Sequence, residues 1–114
     1  MRFMLLLYPE LRTATAVEAR RKYHQELTRS GVLLALDNLT PAAAGGVRIQ
    51  QRGAERTTCE GPFPEATASV GGYWLIAVRS QAEAMAWAAR CPLADGDTLE
   101  LRQVDEAAQP PREA

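Results

Sequence analysis

Two short runs in this chain, Phe3-Met-Leu-Leu-Leu-Tyr8 and Tyr73-Trp-Leu-Ile-Ala-Val78, are apolar at odd and even positions alike. A half-exposed strand alternates apolar with polar residues, so a run that does not alternate belongs at the centre of a sheet. Pro9-Glu10 closes the first run and Gly71-Gly72 opens the second. Any fold for this chain must therefore place two strands, far apart in sequence, in the middle of a sheet.

The intervening segments supply what such a sheet needs. Residues 14–30 carry Ala16, Ala19, Tyr23 and Leu27 at helical spacing, and Gly31 follows as a C′ glycine. Val32–Leu36 reads as a second strand. Val47–Gln51 and Arg56–Cys59 flank Arg52-Gly53-Ala54-Glu55 and predict a short hairpin. Ser80-Gln-Ala-Glu83 is a capping box opening a helix that buries Ala84, Trp87, Ala88 and Cys91 and stops at Pro92. Thr98–Val104 alternates, with Leu99 and Leu101 on one face and Glu100 and Arg102 on the other.

The order is β-α-β, an inserted hairpin, then β-α-β: an α+β, ferredoxin-like split βαβ with an antiparallel sheet and two helices on one face. That topology puts its first and third main strands at the sheet centre, and these are the two doubly apolar runs. Two helices cover one face only. The other then exposes large apolar side chains, which predicts a homodimer through the open sheet face and a dimeric α/β-barrel architecture. One domain is expected over residues 1–104. The polar, Ala-rich stretch 105–114, with Pro110-Pro111, reads as a disordered tail.

Composition narrows the function. The chain has 114 residues and net charge −1 with acidic and basic residues interspersed, so it lacks the basic stripe that nucleic acid requires. The apolar run Phe3–Tyr8 is too short for a membrane span or a secretory core. A cytoplasmic protein is expected, with Cys59 and Cys91 as free thiols. A single histidine and no thiolate pair supply too few ligands for a metal, and no phosphate-binding glycine loop is present, so no cofactor is expected.

Residues 60–74 are the densest in turn chemistry. Glu60 and Glu65 bracket Gly61-Pro-Phe-Pro64, and Gly71-Gly72 leads into Tyr73-Trp74. The two carboxylates are candidates for acid and base if their environments differ, or each ties down the loop while Phe63 plugs the core or an interface. His24 flanks the Tyr23–Leu27 stripe, and its ordinary pKa near 6.5 suits proton transfer; a boundary histidine is the simpler reading. Asp37 follows the second strand, either as a partner for His24 or a ligand, or as a turn-starting residue beside Asn38. The candidate catalytic residues are thus His24, Asp37 and Glu60. Tyr8, Phe63, Glu65, Tyr73 and Trp74 are candidates to line a ligand pocket.

The Met-Leu-Leu-Leu-Tyr strand, Ser30-Gly31-Val32-Leu33, Asn38-Leu39-Thr40-Pro41, Glu60-Gly-Pro-Phe-Pro-Glu65, Gly71-Gly72-Tyr73-Trp74 and Trp87-Ala-Ala-Arg-Cys91-Pro92 together resemble the YCII-related superfamily, in particular its DGPF-domain branch. The resemblance runs nearly end to end. It implies a dimeric ferredoxin-like α/β fold, with most members lacking an established activity. Some relatives are proposed or known to act as lyases or dehydrochlorinases through a His–Asp pair, and the DGPF branch is often encoded beside extracytoplasmic-function sigma factors. This chain carries Glu60 where the branch has its signature aspartate, and Thr67-Ala68 where Lys-Glu is usual. The histidine of the enzymatic relatives lies about three helical turns before the helix-ending glycine, which falls near Arg20 rather than His24.

Three functions follow as expectations. The first is a dimeric small-molecule-binding or regulatory protein with a cleft near His24, Asp37 and the 60–65 loop. The second is a cofactor-free lyase or isomerase of a small organic acid or aromatic. The third is an interaction partner in a sigma-factor-linked stress response.

Overall fold

The computed structural model of the chain describes residues 1–10, 14–40, 45–62 and 70–108. In chain order these form β1 (Arg2–Tyr8), α1 (Ala14–Arg29), β2 (Leu33–Asn38), β3 (Val47–Arg52), β4 (Glu55–Glu60), β5 (Gly72–Ala77), α2 (Gln81–Ala89) and β6 (Thr98–Gln103). The main sheet is four-stranded and antiparallel in the order β2-β5-β1-β6, which is the ferredoxin-like arrangement. The two doubly apolar runs are its central strands. Leu5 pairs with Trp74 and Phe3 with Ile76.

Alternation sorts these strands into two faces. Phe3, Leu5 and Leu7 of β1 and Trp74 and Ile76 of β5 point toward the helices and are buried with Tyr23, Leu27, Ala84 and Trp87. Met4, Leu6, Tyr73 and Leu75 point the other way and remain partly exposed.

Each helix ends as its local sequence dictates. Beyond α1, Gly31 adopts φ 72°, and the Gly31 and Val32 amides donate to Thr28 and Leu27 carbonyls at 3.1 and 3.3 Å. This is a Schellman cap, sealed by burial of Val32 beside Leu27 in the core. At α2 the Ser80 hydroxyl accepts from the Glu83 amide at 3.1 Å. The Glu83 carboxylate reaches back to the Arg79 amide at 3.0 Å, one residue before the position a capping box normally serves.

β3 and β4 form a separate two-stranded ribbon, one residue longer at each turn-side end than the sequence pattern indicates, closing with Arg52 opposite Glu55. Gly53, φ 57°, supplies the positive dihedral that a two-residue hairpin turn demands at its first position. Both ribbon strands are exposed throughout, Val47 at 59% and Ile49 at 63%. Gly61–Pro62 is a cis peptide. Gly71 leaves room for the Pro9 ring, whose Cγ would lie 2.5 Å from a Cβ placed there.

The polar stretch after β6 begins with a 3₁₀ turn, Glu106–Ala108, held to β1 by two hydrogen bonds from the Arg2 guanidinium to the Glu106 carboxylate at 2.8 and 2.9 Å. The remainder, residues 109–114, lies outside the described residues. No helix among the described residues is long and apolar enough to cross a membrane.

Candidate functional site

The buried stripe of α1 contains a charge. Arg20 lies three residues before Tyr23 and seven before Leu27, so helical geometry sends its side chain into the same interface. It is only 6% exposed. Its counter-charge is Asp97, in the turn before β6, whose side chain is fully buried and meets Arg20 Nη2 at 3.4 Å. The Asp97 carboxylate also accepts from the backbone amides of Glu10 at 2.9 Å and Ala94 at 3.0 Å. One carboxylate thus joins the end of β1, α1 and the turn leading into β6.

Arg20 is nonetheless incompletely paired. Its Nε is buried without a hydrogen-bond partner, and so is the indole Nε1 of Trp74. Trp74, 3% exposed, lies under α1 with the Tyr23 ring edge-on at 5.6 Å. One turn along α1 from Arg20, the His24 ring is tilted over Trp74 at 5.7 Å and is partly exposed. Burial lowers the His24 pKa below its ordinary value, and the Arg20 cation lowers it further. The imidazole is therefore neutral at neutral pH. Below the cluster, Cys91 is buried, and burial pushes its thiol up to about 12, far from a reactive thiolate.

The sequence candidates divide between the two sides of the sheet. His24 and Trp74 meet on the helix-covered side. Asp37 lies on the open side, where its carboxylate accepts from the Tyr73 hydroxyl at 2.7 Å. Tyr73 and Trp74 are adjacent in a strand and face opposite ways, so the sheet separates His24 from Asp37 and the two do not pair. Tyr8 also lies on the open side and donates to Glu100 at 3.1 Å. Acceptance by these carboxylates raises both phenol pKa values. Glu60 ends the exposed ribbon strand β4 opposite Val47. Phe63 and Glu65 lie outside the described residues. A separate open cleft of about 510 Å³, lined by Ser30, Val32, Arg79 and Glu83 among others, contains none of the candidates.

Arg20 and Asp97 escaped the sequence reading as functional residues. For Arg20 a signal existed: its spacing from Tyr23 and Leu27 puts it on the core stripe. Asp97 gave none beyond a turn-forming Asp-Gly-Asp, because its partner lies 77 residues away. Among the described residues, no three His, Cys, Asp or Glu side chains are grouped to hold a metal ion.

The family model for the YCII-related domain matches residues 1–108, and the chain belongs to that family. No curated protein matches it.

Proposed function

We propose that this YCII-related protein, of the DGPF-like branch, is a cytoplasmic homodimer that binds a small organic molecule at Arg20, His24 and Trp74. The observation that carries the reading is the pair of buried, unpartnered donors, Arg20 Nε and Trp74 Nε1. Buried donors in folded proteins are almost always satisfied, and leaving one unpaired costs about 1–3 kcal/mol. Two such donors beside one partly exposed histidine suit a site completed by a ligand's acceptor atoms.

Binding is favoured over catalysis by the surroundings of His24. A histidine base is normally oriented by a carboxylate, whereas the charge that shifts His24 is the Arg20 cation. Asp37 is occupied by Tyr73 across the sheet, and Asp97 by Arg20 and two backbone amides. Dimerisation through the open face is supported by the cluster of Met4, Leu6 and Leu75 with a rim of paired polar groups, the pattern of a protein–protein contact. A cytoplasmic setting is consistent with two free thiols.

The test is a fragment screen read by the indole N–H resonances of ¹⁵N-tryptophan-labelled protein. Trp87→Phe assigns the two signals. Compounds are expected to move the Trp74 signal, with binding lost in Trp74→Phe, which keeps a ring but removes the donor. A screen in which no compound moves that signal, or in which Trp74→Phe binds every hit unchanged, overturns the reading.

A further inference from the structure

Resting on that binding site, we infer that its ligand is uncharged and presents an acceptor oxygen, as a ketone, ester or tertiary amide does, in place of a carboxylate. The argument is a balance of charge and of hydrogen-bonding groups. Arg20 contributes one positive charge and the fully buried Asp97 one negative charge. His24 is neutral at neutral pH. The cluster therefore sums to zero before anything binds. A carboxylate placed there would leave one buried negative charge uncompensated and would sit close to Asp97, an arrangement that low-polarity surroundings penalise strongly.

An uncharged oxygen leaves the balance intact. It also supplies what these buried groups lack, since Arg20 Nε and Trp74 Nε1 are both donors and a carbonyl oxygen is an acceptor. The buried carboxylate and carbonyl acceptors beside these donors are already committed. Asp97 takes Glu10, Ala94 and Arg20, and the Trp87 carbonyl takes the Tyr23 hydroxyl at 2.6 Å. A ligand that brings its own N–H or O–H donors gains nothing from these groups. The neighbouring Trp74, Tyr23 and His24 rings add an apolar and aromatic setting for the rest of the molecule.

Three probes of nearly one shape separate the terms. Acetophenone has the acceptor oxygen without charge, benzoate has the charge, and α-methylstyrene has neither. Titration at neutral pH, read by the Trp74 indole N–H, is expected to show acetophenone binding at least about tenfold more tightly than benzoate, from the cost of the buried charge. It should bind about threefold or more tightly than α-methylstyrene, from the hydrogen bonds. The Trp74 proton should move downfield with acetophenone and not with α-methylstyrene. Arg20→Lys, which keeps the charge opposite Asp97 but lacks Nε–H, should weaken acetophenone and leave α-methylstyrene unchanged.

Benzoate equal to or tighter than acetophenone overturns the uncharged class while binding at the site stands. Equal affinities for acetophenone and α-methylstyrene overturn the acceptor role. Absence of binding by all three also overturns the inference, and the fragment screen then reports separately whether the site takes any ligand. If Arg20→Lys does not fold, Trp74→Phe examined by saturation transfer from protein to acetophenone decides the same question.

Discussion

The two faces of the central sheet are built from alternate residues of the same strands, and they are incomplete in opposite ways. On the helix-covered face the apolar side chains are sealed, with Phe3, Leu5, Leu7 and Ile76 almost fully buried. What is unfinished there is polar: Arg20 Nε and Trp74 Nε1 have no partner. On the open face three polar pairs link neighbouring elements. Tyr73 pairs with Asp37, Tyr8 with Glu100 and Arg2 with Glu106. What is left over is apolar, the partly exposed Met4, Leu6 and Leu75. Unpaired donors call for a molecule with acceptors, and an apolar patch with a satisfied rim calls for another protein surface. The contrast is the basis for the proposal that the small ligand belongs to one face and the subunit contact to the other.

The hardest way to break the covered face is to remove its buried charge. Asp97→Ala leaves the Arg20 guanidinium buried without its counter-charge and strips two backbone amides of their acceptor. A loss of about 3–5 kcal/mol is expected in urea denaturation. A loss below about 1 kcal/mol would mean that Arg20 escapes to water in the variant, and that the fold does not depend on its burial beside Asp97.

Next come paired truncations on β1. Leu5→Ala empties a fully buried position and should cost about 2–5 kcal/mol at any protein concentration. Leu6→Ala, one residue along, should cost less in the isolated chain, and under the proposed dimer its effect should grow as the protein is concentrated, since a second subunit would complete its packing. Leu6→Lys should give a monomer by light scattering with Leu5 still buried. A Leu6→Lys protein with unchanged mass would remove the open face as the subunit contact.

The sheet was legible in the sequence because its evidence is local. Residues 3–8 and 73–78 declare themselves central by lacking alternation, Gly31 marks a helix end, and Ser80 and Glu83 mark a helix start. The site was less legible because it is assembled across distance. Asp97 reaches Arg20 only after α1 and the turn before β6 have packed together, and nothing near Asp97 in sequence announces a buried partner. His24 and Asp37 suggested a pair because both lie near the junction of α1 and β2. Strand alternation separates them, since β2 turns Asp37 toward Tyr73 while α1 turns His24 toward Trp74. The Gly71-Gly72 signal had a packing origin: Pro9 lies against Gly71, and a Cβ on Gly72 would stand 3.1 Å from Asn38.

Two phenols compare the faces at finer scale. Tyr23 donates its hydroxyl to the Trp87 carbonyl in the core, so Tyr23→Phe should cost about 1 kcal/mol in thermal or urea unfolding. Tyr73→Phe removes an exposed bond to Asp37 and should be indistinguishable from wild type. Equal losses from the two would show that the open-face pair is sealed, as it would be inside a subunit contact. Repeating Tyr73→Phe in the monomeric Leu6→Lys background separates these cases.

The smallest effect tests how far His24 belongs to the covered face. Its native pKa is lowered, first by burial and then by Arg20, from an unfolded value near 6.5. Between the lowered native value and about 6.5 the unfolded chain binds more protons than the folded one, so stability rises with pH through that window. Equivalently, stability falls as pH drops below about 6.5, and the loss is complete once pH lies well below the native pKa. His24 is the only histidine, so its ring-proton titration can be followed without ambiguity. It should give a midpoint below that of an unstructured histidine. His24→Gln should flatten the pH dependence of the urea midpoint between about pH 7 and pH 5, leaving the carboxylate-driven loss at lower pH. A midpoint at or above the ordinary value would place the imidazole in solvent or beside a carboxylate. Either outcome detaches it from Trp74 and returns a general base to consideration.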